Sequence, residues 1–305
     1  MTNLMDTALT QTQGDNQPAS ATGDGGLYLY GITRLAASWG DRRPTSSTAA
    51  QTKSELGEGL RVHEGDPVQL LISGDLAAVV RPASLTEFGD EAVREHFHDA
   101  AWLESMVRSH HEVIAAIHRE QAILPAKFGC VYACAEDLRT ALEQTHDALV
   151  ARLKRLEGCD EWAVHIYADR PTIQRRVDAE HTTIQRLHQE LVSARPGRAY
   201  FLQRKLADEI AVATEQALSD LAQTGYDHLV RYAVAGQVSP STRPADGPND
   251  EIEILRAAFL LQRVSRDPFV AELGRFAESQ VGLRCEYSGP WPPYSFAGLT
   301  EEEWQ

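Results

Sequence analysis

Ile252-Glu253-Ile254-Leu255-Arg256-Ala257-Ala258-Phe259-Leu260-Leu261-Gln262-Arg263-Val264 is apolar on both faces and contains no glycine or proline. It reads as a strand. Just downstream, Asp267-Pro268 reads as a helix N-cap followed by proline at the first helical position. Phe269, Val270, Leu273, Phe276 and Ala277 then give a short amphipathic helix. Leu283, Cys285 and Tyr287 alternate with Arg284 and Glu286 as a final strand. Upstream, the loop from Ser239 to Asn249 holds three prolines, and Leu229 to Ala235 reads as a strand. Before it, Leu202, Leu206, Ile210, Ala213, Ala217 and Leu221 mark a helix over 200–223, with Gly225 beyond its end. Arg195-Pro196-Gly197 reads as a break after a mostly polar helix over 172–193. Trp162, Val164 and Ile166 open the series as a strand closed by Asp169-Arg170-Pro171. The order from Trp162 is strand, helix, strand, strand, helix, strand, which is that of the split βαβ, ferredoxin-like motif.

The first half mixes strands with two long helices and reads as a variant of the same layers. Leu27-Tyr28-Leu29-Tyr30-Gly31-Ile32 is apolar on both faces and is expected at the centre of a sheet. Val68 to Ile72 and Leu76 to Arg81 flank Ser73-Gly74-Asp75, a hairpin signal. A helix is expected over 90–118, followed by an irregular extended stretch from Ile123 to Cys134. Leu138, Leu142, Thr145, Leu149, Leu153 and Leu156 form one helical stripe, which Gly158 is placed to end. The fold class expected is α+β in two domains, with mixed or antiparallel sheets covered by helices. The boundaries read are a disordered tail over 1–26, domains over 27–168 and 169–297, and an acidic tail over 298–305.

At 305 residues and a net charge of −15, the chain is a poor candidate for a nucleic-acid surface. Arg152, Lys154 and Arg155 cluster, and a solvated helix face accounts for them. No run of 18 apolar residues is present, so no membrane helix is expected. The N-terminus shows no basic-then-apolar signal, which points to the cytosol. Cys130, Cys134, Cys159 and Cys285 do not read as a disulfide framework and are expected to be reduced.

Chemistry finds little purchase. His96, His98, His110, His111 and His118 fall on one expected helix, but His111-Glu112 lacks the spacing of a zinc site, and solvated or capping histidines account for them. Cys130 and Cys134 have no second pair at zinc spacing. No G-x-S-x-G, P-loop or strand-following G-x-G-x-x-G occurs. No catalytic residue, cofactor or metal is therefore expected.

Two segments stand out. Leu124-Pro125-Ala126-Lys127-Phe128-Gly129 is irregular and apolar between two helices. Ser288-Gly289-Pro290-Trp291-Pro292-Pro293-Tyr294-Ser295-Phe296 packs three prolines and three aromatics into nine residues. Such a strap cannot be helical and cannot sit inside a central strand. Both segments read as rigid corners over the core or as a protein-binding surface, since stiff aromatic segments make contacts at low entropic cost. Pro125, Lys127, Phe128, Trp291, Pro293, Tyr294 and Phe296 are the candidate residues. The strap follows the last strand directly and is expected to close the second domain.

The chain resembles the gas vesicle protein family GvpL/GvpF. The likeness rests on Leu27 to Ile32, on Asp75 to Val80 and on Leu124 to Gly129, where Lys127 stands in place of the usual Arg. It rests further on Leu156 to Trp162 and on Ser288 to Phe296. These five blocks stand in the family's order. The resemblance implies an N-terminal ferredoxin-like variant and a C-terminal α+β domain. It implies a cytosolic accessory protein and minor vesicle component that binds the hydrophobic shell protein GvpA and other accessory gas vesicle proteins during nucleation. It brings no catalytic residue or cofactor. A small-ligand-binding regulatory protein is the alternative, on fold analogy alone.

Overall fold

The computed structural model describes residues 25–35, 68–85, 99–240 and 251–298. The expected N-terminal tail up to residue 24, the polar loop over 38–59, the helix start with His96 and His98, and the acidic tail beyond Gly298 lie outside the described residues. Gly25 and Gly26, read as tail, already belong to the first strand. The described residues divide into two compact units, one reaching Cys159 and resuming at Trp291, the other spanning Asp160–Pro290.

The first unit is built on β1 (Gly25–Arg34), β2 (Gln69–Ser73), β3 (Leu76–Ser84), β4 (Ile123–Pro125) and the short β5 (Val131–Tyr132). Its strands run in the order β2-β3-β1-β4, with β5 also paired to β1 and every pairing antiparallel. β1 is central, as its two apolar faces required. A register shift between Leu29 and Gly31 gives it a bulge. The stretch over 123–134 is thus two short strands joined by a turn. Helix α1 (Ala100–Glu120) is capped by Asp99, whose carboxylate accepts from the backbone N–H groups of Ala101 and Trp102 at 3.0 and 3.1 Å. Val113, Ile114 and Ile117 of α1 pack against Tyr28, Tyr30, Leu70 and Val79 on one face of the sheet. The alternate residues Leu29, Leu71, Ala78 and Val80 are equally buried. Helices α2 (Ala135–Gln144) and α3 (His146–Leu156) pack on strands β1, β2 and β4.

The leucine stripe over 138–156 is therefore carried by two helices and not by one. At Thr145 (φ −106°, ψ 9°) the backbone leaves helical geometry, and its hydroxyl donates to the Ala141 carbonyl at 2.7 Å. Leu138, Leu142, Leu149, Leu153 and Leu156 are all buried on either side of the break.

The second unit runs β6 (Cys159–Asp169), α4 (Arg170–Glu180), α5 (Thr182–Val192), α6 (Pro196–Val230), β7 (Ala235–Val238), β8 (Glu251–Gln262), α7 (Arg266–Ser279) and β9 (Leu283–Trp291). Its strand order is β7-β8-β6-β9. In each sheet the unit's first strand lies between its third and fourth, with the second at an edge. Both units thus repeat the strand order of the split βαβ motif. One core joins Trp162, Val164, Ile166, Leu255, Phe259, Phe269 and Phe276. A satellite core of Ile173, Val177, Ile184, Leu218 and Leu221 ties α4, α5 and α6 together.

Several boundaries depart from the sequence reading. The polar helix over 172–193 is split at His181 into α4 and α5. Pro196 starts α6 where it was read as a break, because a proline in the first turn gives up an N–H that has no helical partner. α6 then continues to Val230, so the strand expected over Leu229 to Ala235 is helix and turn instead, and β7 begins only at Ala235. Gly225 lies inside α6: a Cβ there would stand 2.8 Å from Ile166 and 3.0 Å from Phe276. Helix α7 begins at Arg266, one residue before Asp267, and Ser265 holds the cap position. The compact units part at the start of β6, whereas the sequence boundary stands at its end.

Candidate functional site

The site grows from two adjacent residues of α1. A helix turns 100° per residue, so His110 and His111 project in different directions. His110 is buried and His111 is partly exposed.

His110 organises the segment Leu124 to Gly129. Its Nε2 lies 3.3 Å from the Ala126 carbonyl, and its Nδ1 lies 2.9 Å from the Tyr28 hydroxyl. A carbonyl only accepts, so Nε2 carries the proton and Nδ1 accepts from Tyr28. The Tyr28 oxygen in turn accepts from the Gly129 N–H at 3.4 Å. The rings reinforce this chain: Phe128 meets His110 edge-on at 5.7 Å, and Tyr30 stacks on His110 at 5.7 Å. Burial pushes the His110 imidazole down to about 4 and holds the Tyr28 phenol well above the ordinary tyrosine range. The same burial raises the Cys130 thiol to about 11, so it is no reactive thiolate at neutral pH.

His111 holds the strap. Its Nδ1 shares a 2.9 Å hydrogen bond with the Tyr294 hydroxyl. The Trp291 ring meets it at 5.5 Å and the Tyr294 ring at 6.0 Å. Pro292 and Pro293 are buried, while Trp291 and Tyr294 keep 40% and 39% of their surface exposed. The strap therefore divides. Ser288 to Pro290 extend β9, an edge strand where proline is tolerated. From Trp291 onward the chain groups with the first unit, so the strap does not simply close the second domain.

The candidate residues sort accordingly. Pro125 ends β4 opposite Gly31, and Phe128 packs on His110. Lys127 is exposed, and its carbonyl accepts the Cys130 N–H in the turn. Pro293 is buried and Phe296 half-buried, with its N–H donating to the Pro293 carbonyl. The two unusual segments are both anchored on α1, through neighbouring histidines that the sequence reading set aside as solvated or capping. Two histidines in a row carry no sign of which one is buried, so His110 had no readable signal. Among the described residues no cluster of histidine, cysteine and carboxylate groups is arranged to hold a metal ion. What the arrangement offers is a pair of partly exposed rings, Trp291 and Tyr294, held by His111.

A family model described as gas vesicle synthesis protein GvpL/GvpF matches residues 26–298. The chain belongs to the gas vesicle GvpL/GvpF family. It is 33% identical over 253 residues to gas vesicle protein L of Streptomyces sp. (strain CB03234), covering 81% of this chain and 90% of that protein. Gas vesicle protein F of the same strain is 26% identical over 230 residues, covering 75% and 87%. The crystal structure of GvpF from Anabaena sp. PCC7120 superposes with a TM-score of 0.60 at 19% identity, over 91% of this chain and all of that one. GvpF from Microcystis aeruginosa gives a TM-score of 0.56 at 18% identity, over 90% and 99%. These structural likenesses carry the α+β fold. Family membership places the chain among gas vesicle accessory proteins. No helix among the described residues is long and apolar enough to cross a membrane.

Proposed function

We propose that this GvpL/GvpF family member acts in the cytoplasm during gas vesicle nucleation, binding the shell protein GvpA and other accessory gas vesicle proteins and remaining as a minor vesicle component. The observation that carries the reading is the family match over residues 26–298. A strongly apolar shell subunit needs its surface covered before it polymerises, and a partner with a net charge of −15 keeps such a complex soluble. Within the chain, the strap rings suit shell-subunit contact. Trp291 and Tyr294 are large, partly exposed and held by His111, so they lose little freedom on binding. Lys127 beside Phe128 offers an exposed cation on the neighbouring turn. The residue lacks the planar fork of an arginine, so it acts as a point charge.

Co-expression and pull-down with GvpA, and with each accessory gas vesicle protein, test the reading. A stable complex with GvpA is expected. Trp291→Ala combined with Tyr294→Ala should weaken capture at least about tenfold while the circular dichroism melt stays within a few degrees of the parent. Full capture by a folded double variant removes the strap from the interface. No capture of any gas vesicle protein by the parent chain removes the function itself.

A further inference from the structure

The second unit carries an exposed aromatic and cationic ridge that its own core does not use. It lies where α5 ends and α6 begins. Val192 at the end of α5 is 90% exposed, and Tyr200 and Phe201 in the first turns of α6 are 65% and 72% exposed. The two rings pack edge-on at 5.8 Å, so they form one surface feature. Core contact falls on Leu202 together with Leu206 and Ile210. Phe201, Arg204 and Lys205 sit at i, i+3 and i+4 on the other side of the helix, where the exposed Asp208 at i+7 separates them from Val212 at i+11. All of these are exposed, with Val212 at 68%.

Charge singles the ridge out. From Ala194 to Ala207 there are four cations, Arg195, Arg198, Arg204 and Lys205, and no carboxylate. Arg198 pairs with Glu190 at 3.2 Å. The other three make no ion pair among the described residues. Asp208, one turn beyond Arg204, ends the positive stretch. In a chain of net charge −15, an acidic partner is repelled by the surface at large and drawn to this patch. An anionic bilayer presents its charge over a wide plane and so meets the acidic surface around the patch as well, whereas a single helix can engage the patch alone.

We infer that the α5–α6 ridge is a docking surface for an acidic amphipathic helix of a partner protein, with Tyr200 and Phe201 meeting its apolar face and Arg195, Arg204 and Lys205 its carboxylates. Docking of this kind needs an apolar anchor with complementary charges beside it; the Tyr200–Phe201 pair supplies the anchor, and Arg204 and Lys205 follow one turn on. The inference does not depend on the strap, and it adds a second partner site to the accessory role.

The test uses the full chain and a labelled synthetic helix with leucine on one face and glutamate on the other. A control helix carries lysine in place of glutamate. Fluorescence anisotropy should show the acidic helix binding, and the lysine helix binding at least about tenfold more weakly. Raising the salt from 50 to 500 mM should weaken the acidic helix. Arg204→Glu with Lys205→Glu, and separately Phe201→Ala, should each cost about tenfold or more in Kd. These positions are exposed, so the melting temperature should hold. Trp291→Ala with Tyr294→Ala should leave this binding unchanged, which separates the ridge from the strap. Equal binding of both helices, or no loss in the ridge variants, overturns the proposal. So does stronger binding to vesicles of phosphatidylserine and phosphatidylcholine, or ridge-dependent self-association in sedimentation.

Discussion

His110 shows how one buried side chain ties pH to the integrity of the candidate site. Its ring sits at about 4 in the fold, against about 6.5 in an unfolded chain. The unfolded chain therefore takes up a proton first as pH falls. The stability this residue supplies is whole above about 6.5 and is lost as pH drops toward 4, by on the order of 3 kcal/mol. Denaturant melts at pH 7, 5.5 and 4 should show that loss. His110→Phe should flatten it, and should itself destabilise the chain by about 1–3 kcal/mol because the Tyr28 hydroxyl and Ala126 carbonyl lose their partner. A melt as pH-sensitive as the parent's would clear His110 of this role. Gly225 makes a second residue-level case. Gly225→Ala places a methyl group against Ile166 and Phe276, and should cost about 1–3 kcal/mol although alanine is the better helix former. A stabilised Gly225→Ala protein would contradict the close helix–sheet packing.

At the scale of elements, the β2–β3 turn is linked to the α2–α3 junction by one histidine. His146 Nε2 meets the Asp75 carboxylate at 2.6 Å and Nδ1 meets Asp147 at 3.0 Å, while Arg34 also reaches Asp75 at 3.1 Å. The bonds to Asp75 and Asp147 raise the imidazole above its ordinary value, and the bond to His146, with help from Arg34, lowers Asp75. A raised histidine contributes stability below its unfolded value near 6.5 and loses it as pH rises through its folded value. Its slope is thus opposite to that of His110. Asp75→Asn should take away the larger part of the His146 component and leave the part from Asp147, seen as a lower His146 pKa in NMR titration; an unshifted titration would contradict the link. Element boundaries were only partly legible. The leucine stripe over 138–156 told which face is buried, yet not that the backbone would leave helical geometry at Thr145: the same hydroxyl-to-carbonyl bond at Thr214 and Thr224 leaves α6 unbroken, so a threonine carries no local signal of a break. Pro196 was legible as punctuation but ambiguous in sense, since proline both ends helices and begins them.

At the scale of the whole chain, the segment from Trp291 returns to the first unit after the second is complete. Ending the chain at Pro290 should therefore raise amide hydrogen exchange in α1 around His111 and leave β6 and β8 protected. Equal loss of protection in both sheets would contradict that assignment. The sequence by itself determined the α+β class, the central place of β1 and the second unit's order of strands and helices. Those follow from apolar periodicity and turn chemistry, which act over a few residues and are written in them. Five short blocks in order also carried the family. Only the tertiary structure decided that His110 is buried and His111 not, that the two unusual segments are both anchored on α1, and that Tyr200 and Phe201 stay uncovered. These depend on which surfaces meet across 16 to 183 residues of chain, a matter of packing that no local pattern encodes.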